Sequence, residues 1–230
     1  MDADDVWHKE RLSKLLAVAR DCKNVFVGSD LMLCFSGDRN ELIPWRTLFD
    51  VRGIRAQGLH RVTPADFVRY GLSVLPMFPA DIVRERNIVF VEKFKGHDWL
   101  CFLFELYECG LEYVILNEPL YYYRISSGSD STSYHSIVTQ VEACTHLSGL
   151  PWLDPETRSL IRKSGIISRH RLFTVAMQEK RWNEALQRGL RDPLSLLYAI
   201  KRLPAWALRK RTVRRMRKWA SSADAADHDS

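Results

Sequence analysis

The sequence predicts an α/β fold, a mixed sheet with helices followed by a C-terminal helical segment. Segments typical of strands alternate with segments typical of helices up to about residue 133, which favours helices layered on a sheet. From Ser133 onward the apolar residues recur with helical spacing. The chain has 230 residues, 46% of them hydrophobic, enough for one core with a small appendage. We therefore expect an α/β domain (1–133), a basic helical extension (134–219) and a disordered tail (220–230).

The first elements are predicted from periodicity. An amphipathic helix is expected over residues 8–20, because four apolar residues recur at helical spacing: Leu12, Leu15, Leu16 and Ala19. The stretch "NVFVGSDLMLCF" predicts one strand or two short strands. From Ser36 to Pro79 glycine and proline interrupt every pattern, although "TPADFVRYGL" begins like a capped helix. An irregular region of this length usually binds something.

The later elements have clearer boundaries. The stretch "GHDWLCFLFELYECG" predicts a helix that begins at Asp98 and is stopped by Gly110. "LEYVIL" and "LYYYRI" predict two strands joined across a turn at "NEP". After Ser133 we expect helices with breaks at "GLPWLDP", at Asp192-Pro193 and at Pro204. The polar end "SSADAADHDS" predicts disorder.

Composition excludes several classes of protein. The longest apolar run, "WLCFLFELY", is far shorter than the roughly 20 residues of a membrane span, so none is predicted. The acidic start lacks the pattern of a signal peptide, which makes the cytoplasm the expected location. The five cysteines are scattered and odd in number, and we interpret them as reduced core residues: Cys22, Cys34, Cys101, Cys109 and Cys144.

The charge is distributed unevenly along the chain. Residues 155–219 hold 18 Lys and Arg against 4 Asp and Glu, whereas residues 1–154 hold 16 against 21. Such a basic segment predicts an anionic partner, either a lipid headgroup surface or nucleic acid. The alternative is a helical face that is simply solvated.

Residues 193–219, "PLSLLYAIKRLPAWALRKRTVRRMRKW", combine apolar and aromatic residues with a run of cations. This combination suits a helix lying in a membrane interface, which predicts peripheral contact with the inner face of the cell membrane. Equally, the apolar face could pack on the body while the basic face is solvated. Nucleic acid is the least favoured partner, because charge alone supports it.

Two carboxylates at the front of the chain suggest a metal site. Asp2 and Asp4 are separated by one residue and could aim at one point where a strand turns into a loop. That arrangement suits Mg²⁺ or Mn²⁺ bridging to phosphate oxygens. The alternative is an acidic cluster that stabilises the start of the helix at 8–20 through its dipole.

Two residues further along the chain could act on a substrate. Asp98, at a helix N-terminus after a loop, could serve as a general base towards a hydroxyl, or it could merely cap its helix. Arg124, at the end of a tyrosine-rich strand, could bind a phosphate through two parallel hydrogen bonds, or be an ordinary charged strand end. His135 and His146 could each be a further metal ligand, although a lone histidine is more often a plain surface or core residue.

Two stretches resemble family 2 glycosyltransferases. "DADDVWHKERL" is similar to the segment of that family in which an Asp-x-Asp motif ends a strand and a helix follows. "HDWLCFLFELYECGLEYVILNEPLYYYRISSGSDS" is similar to its later segment, where an acidic pair and Trp open a helix, a strand follows, and a Tyr-x-x-Arg-like strand leads to a small polar loop. The order matches, and the resemblance covers roughly residues 2–133.

The resemblance implies a partial GT-A fold, Rossmann-like, that contributes the acceptor side. It implies transfer of a sugar from a nucleotide-diphosphate donor to the hydroxyl of a saccharide or lipid-linked acceptor, with inversion, in cell-surface polysaccharide or glycolipid assembly. Asp2 and Asp4 match the motif that binds the metal, Mg²⁺ or Mn²⁺, and the nucleotide. Asp4 is the stronger candidate for metal ligand, and Asp5 is expected to be structural.

Three further residues take expected roles from the same resemblance. Asp98 matches the base that deprotonates the acceptor, Trp99 is expected on the acceptor side, and Arg124 is expected to approach the diphosphate. His97 stands where the family usually has Glu, which alters the charge beside Asp98 and the expected acceptor preference.

A second departure lies in front of Asp2, where the family has about a hundred residues that bind the nucleotide. We therefore expect the strand Val25–Phe35 to present an unpaired apolar edge. An internal start codon, a gene fragment or a second chain that supplies the donor half would each explain the departure. Two other function classes stay open: a non-catalytic remnant of a glycosyltransferase, and a basic adaptor that binds membranes or nucleic acid.

Overall fold

The computed structural model describes residues 5–37, 41–72, 74–125 and 133–191. Its strands are β1 (Val6–Trp7), β2 (Val25–Ser36), β3 (Leu42–Thr47), β4 (Leu59–Val62) and β5 (Glu112–Ile125). Its helices are α1 (Arg11–Asp21), α2 (Leu48–Arg52), α3 (Pro64–Tyr70), α4 (Ala80–Glu85), α5 (Asp98–Glu108), α6 (Tyr134–Leu147), α7 (Pro155–Gln178) and α8 (Trp182–Arg191).

The strands form a mixed sheet in the order β1-β5-β2-β3, with β4 also paired to β5. The central strands β2 and β5 are parallel, whereas β1, β3 and β4 each pair antiparallel with a neighbour. A parallel pair requires a crossover, and the segment between β2 and β5 ends with α5. The prediction of an α/β mixed sheet followed by a helical segment is confirmed.

Both faces of this sheet are covered by helices. Alternate residues of β2 point to opposite faces, as the period of two in a strand requires. Val25 and Val27 pack with Leu15 and Val18 of α1 in a small cluster on one face. Phe26 belongs to the main core on the other face, together with residues of α3, α5, α6 and α7. Helices α6 and α7 of the C-terminal segment therefore share a core with the sheet.

The predicted turn at "NEP" is wrong, because β5 continues through it as one strand. The register against β2 shifts on both sides of Asp30, so that Ser29 pairs with Leu116 and Asp30 with Pro119. The extra residues of β5 form a bulge, and Asn117 there donates its backbone N–H to Gly58 O at 2.8 Å. The strand continues because each half has neighbours on both sides: β2 throughout, β4 along the first half and β1 along the second.

Two further expectations for the first half are wrong. The region from Ser36 to Pro79 is more regular than predicted, since it contains β3, α2, β4 and α3. The strand Val25–Phe35 has neighbours on both edges: β5 on one side, and β3 and an isolated bridge between Val27 and Met77 on the other. The capped helix was predicted correctly, since Thr63 and Asp66 form a capping box at the start of α3.

The helical segment follows the predicted breaks in part. "GLPWLDP" separates α6 from α7, and Asp154 caps α7 through its side chain. A further break follows α7, where Lys180 adopts a left-handed conformation with φ of 59°. The predicted breaks at Asp192-Pro193 and Pro204, the interfacial segment 193–219 and the tail 220–230 lie outside the described residues.

Two other features bear on the expectations from composition. No helix in the described ranges is long and apolar enough to cross a membrane. All five cysteines are free thiols, and three of them are buried: Cys34, Cys101 and Cys144.

Candidate functional site

Asp5 joins the front of the chain to the end of β5. Its Oδ1 accepts a hydrogen bond from the backbone N–H of Arg124 at 3.0 Å, and its Oδ2 accepts one from the hydroxyl of Tyr121. The side chain is 6% exposed. The pairing of β1 with β5, Val6 opposite Tyr122, places Asp5 there. Both carboxylate oxygens are engaged, which agrees with the structural role expected for Asp5.

Arg11 is a buried cation beside this group, and the sequence analysis missed it. Its Nη2 donates to Leu75 O at 2.5 Å and its Nε to Ser29 Oγ at 3.4 Å. The guanidinium lies 4.6 Å from the ring centroid of Trp7 and 5.3 Å from that of Tyr121. Burial lowers the pKa of Arg11, but an arginine stays charged in proteins. Helical spacing could have revealed its burial, because Arg11 precedes the buried Leu15 by one turn.

Arg124 lies where the parallel strands β2 and β5 end. Its Nη1 donates a hydrogen bond to Ser36 Oγ at 2.9 Å, and Cys34 is its register partner in β2. The carboxyl ends of parallel strands are where open α/β sheets bind their ligands. A guanidinium at this edge suits the recognition of phosphate oxygens.

The predicted metal ligands Asp2 and Asp4 lie outside the described residues. Within the described ranges, no three His, Cys, Asp or Glu side chains form a group that could hold a metal ion. Asp5, the residue bonded to Asp4, already uses both of its carboxylate oxygens. A site for Mg²⁺ or Mn²⁺ built from Asp2 and Asp4 stays a prediction.

Asp98 is the first residue of α5, as predicted from the sequence. The residue at the cap position is His97, whose side chain makes no capping bond. The Oδ1 of Asp98 accepts a hydrogen bond from the backbone N–H of Trp99 at 3.0 Å. A negative charge is favoured here by the helix dipole. The carboxylate is partly exposed, so a substrate hydroxyl could reach it.

His97 connects the start of α5 to α6. Its Nε2 lies 3.2 Å from Ser136 Oγ, within hydrogen-bond distance. Burial lowers the pKa of His97, and the charge of Arg171 acts in the same direction, while the charge of Asp98 opposes the shift. The imidazole is therefore neutral at neutral pH. Asp98 thus has an uncharged neighbour where the family usually has a second carboxylate.

Trp99 belongs to a stack of aromatic rings. Its indole is nearly parallel to Phe90, with ring centroids 5.7 Å apart, and to Phe102, with centroids 5.5 Å apart. Phe90 is 47% exposed, so this stack reaches the surface. The indole Nε1 of Trp99 is buried and has no hydrogen-bond partner in the part of the chain that the structure describes. Nothing in the sequence distinguished Phe90 from an ordinary core residue.

A cavity of about 200 Å³ opens beside His97 and Trp99, between α3, α5, α6 and α7. Its walls are mainly apolar, and they include Phe67, Phe104 and Ile161. The sequence analysis missed this cavity, because its lining residues come from four helices that are far apart in the chain.

The contacts bring the predicted site residues into two groups. Asp5 and Arg124 form one group at the end of β5, while His97, Asp98 and Trp99 form the other at the start of α5. Among the described residues, Asp98 has its side-chain hydrogen bond with Trp99 and none with the first group. Both groups border the main core, because Tyr121 belongs to it and Trp99 packs against it.

The two histidines considered as metal ligands are not brought together with either group. His135 is exposed on α6. The ring of His146 lies 5.3 Å from that of Phe94.

No protein-family model matches the chain, and no curated protein matches it either. The resemblance to family 2 glycosyltransferases therefore depends on its two quoted stretches.

Proposed function

We propose that this chain carries the base and the acceptor side of a metal-dependent, inverting glycosyltransferase of the GT-A type. Its donor is a nucleotide-diphosphate sugar, and its acceptor is a saccharide or a lipid-linked molecule in cell-surface polysaccharide or glycolipid assembly. The observation that carries the proposal is the bonding of Asp5 to Tyr121 and Arg124. It joins the two stretches that resemble the family, although 119 residues separate Asp5 from Arg124.

The proposed chemistry assigns one role to each of these side chains. The carboxylate of Asp98 takes the proton of the acceptor hydroxyl while the hydroxyl oxygen attacks the anomeric carbon. The bond from that carbon to the diphosphate oxygen breaks on the opposite face, so the configuration inverts. Arg124, at the sheet edge, donates hydrogen bonds to the departing diphosphate. A divalent cation bound by Asp2 and Asp4 would neutralise charge on the same leaving group.

The proposal is tested by transfer from nucleotide sugars in the presence of Mn²⁺. The protein should include any coding sequence that precedes Met1 in the same frame. Asp98→Asn should lower turnover by about 10²-fold or more, because a general base contributes 10²–10⁴-fold, while donor binding persists. Asp4→Asn should weaken the metal-dependent binding of the donor. Near-normal turnover of Asp98→Asn would show that the base is assigned wrongly.

A matched control lies on the same helix. Glu108 is exposed at the far end of α5, and Glu108→Gln removes a carboxylate there without touching the start of the helix. This variant should keep wild-type turnover. An equal loss in Glu108→Gln and Asp98→Asn would indicate a general effect of charge on α5 rather than loss of a base.

We also propose that residues 193–219 hold the protein at the inner face of the membrane. The sequence supports this, because apolar and aromatic residues precede a cluster of cations. The full chain should pellet with anionic vesicles, and a variant with Arg214, Arg215, Arg217 and Lys218 replaced by Gln should not. Binding to duplex DNA that falls steeply between two salt concentrations, without vesicle binding, would favour the adaptor instead.

A further inference from the structure

The cavity between α3, α5, α6 and α7 is large enough to hold a six-membered ring. Its volume is about 200 Å³, and a cavity of about 150 Å³ lined by apolar side chains is known to bind benzene. The walls formed by Phe67, Phe104, Leu147 and Ile161 are apolar. A substituted aromatic ring or a short branched alkyl group would therefore fit, and its burial would be favourable because it removes apolar surface from water.

Two hydrogen-bond donors border this space. The buried indole Nε1 of Trp99 has no partner within the described ranges. Gln140 also lines the cavity, and its Oε1 accepts from Ser168 Oγ at 2.9 Å, which leaves its amide N–H groups as donors. A buried donor without a partner is costly, and the indole Nε1 of Trp99 is such a donor. A ligand with an oxygen acceptor attached to its apolar group would satisfy it.

The position of the cavity connects it to the proposed chemistry. Gly96, His97 and Trp99 line it, and Asp98 lies between the last two in the chain. An apolar group bound in the cavity would leave a polar substituent at the start of α5, where the carboxylate of Asp98 is partly exposed.

We propose that this cavity binds the apolar part of the acceptor, an aryl or short branched alkyl group that carries an oxygen next to the hydroxyl to be glycosylated. The identification of the bound molecule as the acceptor rests on the proposed function. The binding of an apolar group in the cavity does not depend on it. The substrate class is then an alcohol or glycoside with a ring-sized apolar substituent rather than a purely hydrophilic sugar.

2-Phenoxyethanol is a suitable probe, because it carries a phenyl ring, an ether oxygen and a hydroxyl. The readout is the ¹H–¹⁵N signal of the Trp99 indole, assigned with Trp99→Phe. We expect saturable shifts of that signal in the wild-type chain. Ser164→Leu, which places four carbons in the cavity wall, should weaken binding at least tenfold. Lys163→Leu is the matched control, because Lys163 is exposed on the same helix. Val68→Phe fills the cavity from α3 and replaces Ser164→Leu if that variant does not fold.

The outcomes separate the two levels of the inference. No shift in the wild type, or equal binding by the wild type and the filled variants, overturns the cavity as a ligand site. Binding together with inhibition of sugar transfer that is competitive with the acceptor, lost in the filled variants, supports the whole inference. Binding without such inhibition overturns the acceptor assignment alone. Binding by a protein that transfers no sugar from any donor overturns the proposed function and leaves the cavity as a site for an apolar alcohol.

Discussion

The carboxylate of Asp5 accepts a hydrogen bond from the backbone N–H of Arg124 at 3.0 Å and a second from the hydroxyl of Tyr121. These bonds hold Asp5 against the last residues of β5, the longest strand. Both hydrogen bonds would be lost if the carboxylate were removed. The position of Asp5 therefore depends on an interaction with a strand more than a hundred residues away.

Asp5→Ala should destabilise the protein by about 2–4 kcal/mol, because it removes two hydrogen bonds to a buried carboxylate. Tyr121→Phe should cost about 1 kcal/mol, since one hydrogen bond is lost. In the double variant the two costs should not add, because the Tyr121 hydroxyl no longer has a partner to lose. Urea unfolding of the four proteins measures this coupling. Additivity within about 0.5 kcal/mol would contradict the bond between these side chains.

Arg11→Met should also destabilise the protein, by about 2–3 kcal/mol. Methionine retains most of the apolar stem but cannot donate to Leu75 O, and the contacts of the cation with Trp7 and Tyr121 disappear. Arg20→Met is the control, because Arg20 is exposed on the same helix, and surface substitutions usually change stability by less than about 0.5 kcal/mol. Equal unfolding midpoints for the two variants would show that the Arg11 contacts add nothing to stability.

Local patterns were sufficient for some of these features. The start of α5 at Asp98 was predictable because an acidic residue after a loop and before an apolar run is a local signal. The capping box of Thr63 and Asp66 is equally local. By contrast, Asn117 and Pro119 resemble a turn when read alone, and they lie within a strand because β4, β1 and β2 provide partners along it.

The candidate site divides in the same way. Asp98, His97 and Trp99 could be selected as candidates because they lie in one contiguous stretch of the sequence. The burial of Arg11 depends on contacts with Leu75 and Tyr121, and no pattern within α1 records those partners. The cavity has walls from four helices, so its existence depends on how α3 packs against α7. The partners of Arg11 and the cavity are consequences of tertiary packing, whereas spacing indicates only that Arg11 lies on the same face of α1 as Leu15.

Gly28→Ala should cost about 1–3 kcal/mol through overpacking. A Cβ at this position would lie 2.8 Å from the hydroxyl oxygen of Tyr113 and 2.8 Å from Cγ2 of Val74, so both side chains would have to move. In a Tyr113→Phe background the same substitution should cost less, because one of the two close atoms is absent. Thermal or urea unfolding of the four proteins provides the comparison. An equal cost in both backgrounds would show that Tyr113 does not limit the space.

Asp30→Asn should leave the stability at pH 7 unchanged or raise it by about 1 kcal/mol. Asp30 is 1% exposed, and burial raises the pKa of its carboxyl group. One oxygen, Oδ1, accepts both of its backbone hydrogen bonds, from Leu31 N–H at 2.8 Å and Phe49 N–H at 3.2 Å. Asparagine can keep both bonds without a buried charge.

The sign of the pH effect follows from the raised pKa of Asp30. The folded protein binds this proton more tightly than the unfolded chain, so its contribution to stability is complete below the unfolded pKa of 3.8 and is lost as pH rises through the folded pKa. The advantage of Asp30→Asn over the wild type should therefore shrink on acidification. Asp30→Ala, which orphans both N–H groups, should be destabilised by about 2–4 kcal/mol at pH 7. A large loss in Asp30→Asn as well would contradict the cost assigned to the buried charge.

The wild-type protein should lose stability on acidification through His97. Burial lowers the pKa of this imidazole below 6.5 in the folded state, so the unfolded chain binds the proton first as the pH falls. The free energy of unfolding should therefore decrease below about pH 6.5, by at most about 1.4 kcal/mol per pH unit, until the folded pKa is reached. His97→Gln can still bond to Ser136 but does not titrate, so it should lose less stability between pH 7.5 and pH 5.5. His135→Gln, on exposed α6 surface, is the matched control. If His97→Gln loses as much stability as the wild type over this range, the imidazole is protonated as readily in the folded protein as in the unfolded chain. A lowered pKa of His97 in the folded protein would then be excluded.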